Sequence, residues 1–432
     1  MLKEIRSTIK KASAHQGLRK YLANTAWMFS EQVLRIITGL LVGIYVARYL
    51  GPEKFGLFSY SIAFISLFSA ISKVGLDGIV VRDLVNAPEK RDAYLGTAFW
   101  IKGFGVLIAC FGIVEVVTIA NFDPLTKLYI FIIAAGLTFQ PYEVIDFYFQ
   151  SRVLSKYVSM CKMTQLFLSS VLKLYFVYTN KDLIWFVAVS TIDQASLGLA
   201  LIFAYSQQKN KSFYFKFDRQ VAKKLLRSAK PLIVSGVMVS LYSSMDRIII
   251  KEFLGTHQVG LYAAATGLTI PMYFVPYLLA NSFFPAILSA KQQSQDLYNR
   301  RLSTLYKLVI LMGLFVGFFV STFAIQIIDI LYGEQYEASA ETLKIYIWNF
   351  LLICFSAIFG KWLLSENLQR LIPRFTTLAI IINIIGCLLL IPRWSIEGAA
   401  IAAVAAQLLP VLLFGIINKH VRSNLILIFK RF

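Results

Sequence analysis

The feature that most constrains this chain is a series of long apolar runs. Leu225–Ile250 around Pro231, Leu308–Ile328 and Leu371–Ile391 are examples. Each has the length a bilayer core requires, about 20 residues at 1.5 Å rise per residue. Hydrocarbon offers no partner to backbone N–H and C=O groups, so such runs cross a membrane as helices. Composition agrees. Of 432 residues, 58% are hydrophobic and 15% are charged, against roughly 45–50% and about 25% in soluble domains. A large soluble helical protein would show amphipathic periods and charged faces in place of these runs. The pattern predicts an all-α integral membrane protein of about 12 transmembrane helices, over residues 22–48, 56–76, 94–119, 126–149, 157–178, 183–205, 231–250, 258–288, 304–324, 341–363, 372–391 and 396–417. No connecting loop exceeds roughly 25 residues, which leaves no room for a second soluble domain.

The net charge of +20 does not point to nucleic acid, because the basic residues lie between the apolar runs. Lys and Arg in short loops mark the cytoplasmic side. With the N-terminus placed inside, that side holds the basic residues from Lys3 to Lys20, the Lys209–Lys230 cluster and the terminal Lys430 and Arg431. The opposite side holds only Arg48, Lys54, Lys127, Lys181, Arg247, Lys251 and Arg393. The asymmetry fits an even number of spans with both termini cytoplasmic, in a bacterial inner membrane. Met1–Lys20 is basic and polar, and the first apolar run is too long for a signal-peptide core, so no cleavable signal is expected. Cys110, Cys161, Cys354 and Cys387 lie singly in apolar spans and read as small buried hydrophobes. No metal site and no cofactor are expected beyond an ion gradient of H+ or Na+. An enzyme is not expected either. The outward loops are short, and the longest, around 325–340, holds Asp329, Glu334 and Glu337 but no histidine.

A basic segment, 206–230, divides the chain into an N-terminal six-helix half (1–205) and a C-terminal one (231–432). The halves echo each other. Leu50-Gly51 followed by Gly56-Leu57-Phe58 is matched, 204 residues on, by Leu254-Gly255 followed by Gly260-Leu261-Tyr262. With six spans in each half the copies insert in the same orientation, the parallel-repeat arrangement that commonly places a substrate path between halves.

The run Ala47-Arg48-Tyr49-Leu50-Gly51-Pro52-Glu53-Lys54-Phe55-Gly56-Leu57-Phe58-Ser59-Tyr60 resembles the first loop of the O-antigen and polysaccharide flippases of the Wzx type. These are polysaccharide synthase-family members of the multidrug/oligosaccharidyl-lipid/polysaccharide transporter superfamily. Asp246-Arg247-Ile248-Ile249-Ile250 to Leu254-Gly255, then Gly260-Leu261-Tyr262, resembles that family's second-half counterpart. The resemblance implies movement of an undecaprenyl-pyrophosphate-linked repeat unit from the cytoplasmic to the periplasmic leaflet. It also implies polymerase and chain-length-regulator partners in the same pathway. It transfers no individual binding residue.

Ionisable residues inside spans carry the rest of the reading, since each costs at least about 2.5–3.5 kcal/mol at a helix centre and so faces a partner or a wet cavity. In the first span Glu31 and Arg35 stand at i, i+4 with Thr38, as an internal pair or a substrate-facing Arg35. In the fifth, Lys162, Gln165, Ser169 and Lys173 form one stripe, either cavity lining or a face for acidic partners. The fourth supplies such partners in Gln140, Glu143, Asp146 and Gln150. Asp193 in the sixth is a proton or sodium site, or the partner of Lys173. Lys102 in the third is shallow enough to snorkel. Asp246 and Arg247 form a gate pair or a helix cap. The eighth span carries Tyr262, Thr266, Thr269, Tyr273, Tyr277 and Asn281, with Pro271, Pro276 and Pro285 to break it; its rings suit packing or sugar faces. Together these residues suggest alternating access around a cationic cavity fed by Arg35, Lys102, Lys162 and Lys173. Tyr273 and Tyr277 would contact the sugars, and Glu31, Asp146, Asp193 or Asp246 would couple an ion. A lipid II-type flippase and a small-molecule antiporter are the alternatives, the latter needing a more acidic cavity.

Overall fold

The computed structural model describes residues 16–120, 122–208 and 213–431. The basic N-terminal residues through His15, with Lys209 and Lys211 of the central segment, lie outside the described residues. Helices dominate, and no strand occurs among the described residues. They run α1 (Gln16–Lys73), α2 (Asp77–Asn86), α3 (Arg91–Ile119), α4 (Pro124–Gly136), α5 (Val144–Ser151), α6 (Ser155–Tyr178), α7 (Leu183–Gln207) and α8 (Arg219–Leu254). They continue as α9 (Thr256–Thr269), α10 (Phe274–Gln293), α11 (Gln295–Thr322), α12 (Ala324–Tyr332), α13 (Ser339–Tyr346), α14 (Trp348–Ser365), α15 (Ile372–Ile417) and α16 (Lys419–Arg431).

Nine helical stretches among the described residues are long and apolar enough to cross a membrane. Two of them hold a pair of spans each. In α1 the pair is separated by the non-helical Gly51 and in α15 by Trp394 and Ser395. The polar-striped α6 has the length of a span, 24 residues, but is not among the nine. Counted with it, the stretches match the twelve expected, and the chain is an all-α, multi-pass membrane protein. Three expected spans are not single α-helices, and the one at 341–363 is divided at Ile347 between α13 and α14. Residues 126–149 were read as continuous but pass through a 3-10 segment, Leu137–Glu143, containing Pro141. The proline removes a donor and crowds the preceding turn. The eighth span breaks as expected, at Ile270–Tyr273 beside Pro271, while Pro285 is accommodated inside α10.

By contacts the chain forms two compact units. One comprises Phe64–Val237 with the preceding chain through Val46, and the other Ala47–Ala63 with Met238–Phe432. The first has its core around Leu95, Ala98, Val144, Phe149, Phe213 and Leu225. The second has its core around Ile287, Tyr306, Val309, Ile347, Cys354 and Ile358.

Two local features explain this division. The first is the repeated motif. Gly51 (φ 72°) and Gly255 (φ 86°) share a backbone conformation that L side chains rarely adopt. Each turns the chain into the next helix. Within the second unit the helices then cross at Gly56 and Gly260. A methyl group on Gly56 would overlap the Thr256 carbonyl and lie 2.7 Å from Gly260 N. One on Gly260 would overlap the Pro52 carbonyl, 2.7 Å from its carbon. Glu53 accepts a hydrogen bond from Thr256 Oγ1, and Lys251 Nζ lies 4.5 Å from the centre of the Tyr60 ring. The Tyr336 hydroxyl donates to Ala47 O at 2.7 Å, and Gln335 Nε2 to Arg48 O at 2.6 Å. Ala47–Ala63 is thus held by second-unit side chains although it lies in the first half of the sequence.

The second feature is the basic central segment. Its described part is not a free loop. Phe213 is fully buried, and the carbonyls of Phe213 and Lys216 press against Gly96 of α3. Trp100 Nε1 donates to Tyr214 O (2.8 Å), and Asp218 N to Thr97 Oγ1 (3.0 Å). Asp218 in turn accepts from Gln220 N and Val221 N, and α8 starts there, well before the expected span at 231. Lys224 closes the arrangement with a 2.8 Å ion pair to buried Asp83.

Candidate functional site

The first unit gathers four intramembrane cations, each against a carboxylate. Arg35 Nε donates to Glu31 Oε1 at 2.8 Å within α1. Lys102 Nζ lies 2.7 Å from Glu143 Oε2, Lys162 Nζ 3.1 Å from Asp146 Oδ2, and Lys173 Nζ 3.8 Å from Asp193 Oδ2. The local sequence explains the matching. The 3-10 segment at Pro141 sets Glu143 and Asp146 at the junction into α5, so they reach α3 and α6 respectively. On α6, Lys162, Ser169 and Lys173 share a face, and α6 packs against α7. Ser169 Oγ donates to Asp193 Oδ2 at 3.1 Å, holding the carboxylate that Lys173 approaches. Gln165, half-buried on the same stripe, completes it.

Lys102 lies far enough inside to matter, and the snorkelling open to a lysine at its depth does not occur. It is fully buried. Its ammonium is bonded to Glu143 and lies 5.3 Å from the centre of the Phe147 ring. An unpaired lysine there would pay a large desolvation penalty, which the carboxylate and the ring face offset. The other two lysine pairs are partly open, with side-chain exposures of 27% and 14% for Lys162–Asp146 and 26% and 22% for Lys173–Asp193. Four cations face four acids. The expected cationic patch is therefore neutral in this arrangement. What remains is a set of ion pairs, two of which are partly open.

In the second unit Asp246 Oδ2 accepts a 2.6 Å hydrogen bond from the fully buried Tyr262 hydroxyl. Arg247, beside it, leaves Nε buried without a hydrogen-bond partner. Neither residue ends a helix, since α8 runs on to Leu254. Tyr273 accepts from Asn349 Nδ2 at 3.3 Å and stacks with Phe350. Tyr277 is exposed and lines a cavity with Tyr242, Ser356 and Gln407. Thr266 and Thr269 hydroxyls bond their own helix backbone and are not available to a ligand.

The sequence reading missed two parts of this picture. Glu143 was seen as one of several acids, not as the partner of Lys102. Gln407 and Ser356, bonded to each other at 3.0 Å, were not singled out. Gln407 was detectable as the amide that directly follows the small-residue run from Gly398 to Ala406; a half-buried amide there needs partners.

Comparison with known proteins fits this architecture. The probable flippase AglR of Haloferax volcanii is 24% identical over 411 residues, covering 91% of this chain and 82% of that protein. The putative O-antigen transporter of Shigella flexneri is 22% identical over 410 residues, covering 87% and 94%. Among solved structures, an inward-facing multidrug-resistance MATE family transporter of the MOP superfamily superposes with a TM-score of 0.70 at 16% identity, covering 92% and 98%. At that identity the likeness speaks for the fold alone. The family model described as polysaccharide biosynthesis protein matches residues 21–291, more than half of the sequence and across both units, and the chain belongs to that family.

Proposed function

We propose that this protein is a flippase that moves an undecaprenyl-pyrophosphate-linked oligosaccharide repeat unit of a surface polysaccharide from the cytoplasmic to the periplasmic leaflet by alternating access. The observation that carries the reading, given the family, is the array of four intramembrane ion pairs in one unit. A chain that only spans the membrane gains nothing from four costly charge pairs. A pyrophosphate carries enough charge to take over Lys162 and Lys173 as their counter-ion. Asp146 and Asp193, released, then take a proton or a sodium ion. Substrate binding and ion uptake become one exchange, and the low-dielectric walls strengthen both halves of it. Both termini lie in the cytoplasm of a bacterial inner membrane, and a polymerase and chain-length regulator act on the product. A drug antiporter would be served by an excess of acids, whereas here acids and bases are equal in number.

The test is genetic and chemical. Deletion of the gene stops surface glycan and leaves lipid-linked repeat units on the cytoplasmic face. A Lys162→Gln/Lys173→Gln variant that folds normally restores neither. Surface glycan that survives deletion while drug tolerance is lost overturns the reading.

A further inference from the structure

The second unit contains a cavity of about 280 Å³, outside the ion-pair array that carries the flippase reading and sharing with the expected substrate contacts only Tyr277. Tyr242 of α8, Tyr277 of α10, Ser356 and Gly360 of α14, and Phe375 and Gln407 of α15 define its walls. Three of its polar groups are joined to one another. The Tyr242 hydroxyl donates to Gln407 Oε1 (3.3 Å), and Gln407 Nε2 donates to Ser356 Oγ (3.0 Å). Apart from Tyr277 and Thr376 the remaining lining, with Phe359, Leu363 and Val411, is apolar. Such cavities hold hydrocarbon rather than water. Gly360 makes the space: an added Cβ there meets nothing within 4 Å, although a mid-helix glycine costs helix stability.

A second observation says what kind of hydrocarbon. The Phe375 ring lies 4.3 Å from that of Phe414, tilted by 37°, and Phe414 walls a neighbouring apolar groove with Leu378 and Ile381. That groove carries Arg374, exposed and without an ion pair among the described residues. A free cation beside an apolar groove that abuts a wide apolar cavity is complementary to an amphiphile with an anionic head and a bulky tail. The ring faces and the open floor at Gly360 suit a methyl-branched chain, which fills a wide section that an unbranched acyl chain leaves partly empty.

We infer that this cavity is a binding site for the polyprenyl tail of an anionic carrier lipid, with Arg374 as the contact for its phosphate. The identity of the tail rests on the flippase reading; the existence of the site does not. The test uses the full-length protein in nanodiscs and two photoreactive probes. One is a polyprenyl monophosphate with a diazirine on its terminal isoprene unit. The other is a phosphatidylglycerol with a diazirine at its acyl end. The prenyl probe is expected to label the peptides around Gly360 and Gln407 at least ~fivefold more than the phosphatidylglycerol probe, and Gly360→Leu, which sends a side chain into the cavity from a position where a Cβ meets nothing within 4 Å, to lower that labelling by about the same factor. Equal labelling by the two probes overturns the site as a prenyl site. So does unchanged labelling in Gly360→Leu that elutes and melts like the parent. Selective labelling in a protein whose deletion leaves glycan export intact supports the site and overturns the flippase reading alone.

Discussion

Replacing Gly260 with alanine tests the helix crossing most directly. The added methyl group overlaps the Pro52 carbonyl, and the nearest atoms are all backbone, so no rotamer change relieves it. Overpacking of this kind costs about 1–3 kcal/mol, and sometimes more. Alanine returns up to about 1 kcal/mol of helix propensity, leaving a net loss of roughly 1–2 kcal/mol. At about 2–4 °C per kcal/mol for a body of roughly 200 residues, Tm falls by around 2–8 °C. Gly56→Ala behaves alike, because Gly260 N and the Thr256 carbonyl are in its way. The matched controls are Gly103→Ala and Gly360→Ala, where a Cβ meets nothing within 4 Å; these melt at or above the parent temperature. Tm is followed by fluorescence-detected melting of purified protein in detergent. A Gly260→Ala variant that melts with Gly103→Ala would refute the argument that the motif glycines exist to let two backbones touch.

Further expectations follow from the same geometry. Lys102→Met strands Glu143, at a cost of up to about 3–5 kcal/mol for a buried pair and less here because Glu143 is partly exposed. The Lys102→Met/Glu143→Met double variant recovers most of that loss in Tm. Gly96→Ala pushes off the Phe213 and Lys216 carbonyls, so trypsin cleaves at Lys216 and Arg219 several-fold faster in the folded protein. Ser395 adopts φ 52°, ψ −140°, a conformation costing a non-glycine residue about 1–3 kcal/mol. Ser395→Gly therefore raises Tm, and an unchanged or lower Tm would count against that strain.

The sequence exposed most of the fold because the membrane writes its demand in run length. Span edges at Pro124, Leu183 and Ile417 fall within a few residues of the expected ones. The duplication was legible as two glycine pairs, and the backbone angles of Gly51 and Gly255 give it a physical cause. The stripe on α6 was legible from spacing alone, whereas spacing leaves Asp193 open between an ion site and a partner for Lys173, whose Nζ lies 3.8 Å from it. Pairing across helices was harder. Nothing local tells Glu143 from Gln140 as the residue that meets Lys102, because the 3-10 twist at Pro141 decides it. The central segment misled for a different reason. Its charge reads as solvated loop, whereas Phe213 and Tyr214 dock it among the rings of Phe99 and Tyr142.

The membership of Ala47–Ala63 in the second unit has a consequence for dissection of the molecule. The chain passes from one unit to the other after Val46, returns after Ala63 and passes again after Val237. A cut anywhere in the central segment therefore does not yield two self-sufficient fragments. The N-terminal piece carries off the stretch that fills the Gly56–Gly260 crossing, and the C-terminal piece is left with an uncovered seat for it. Co-expressed halves should find each other through that missing part, as a tenon finds its mortise. A C-terminal fragment with residues 47–63 fused ahead of it should be the smallest version of the second unit that folds by itself.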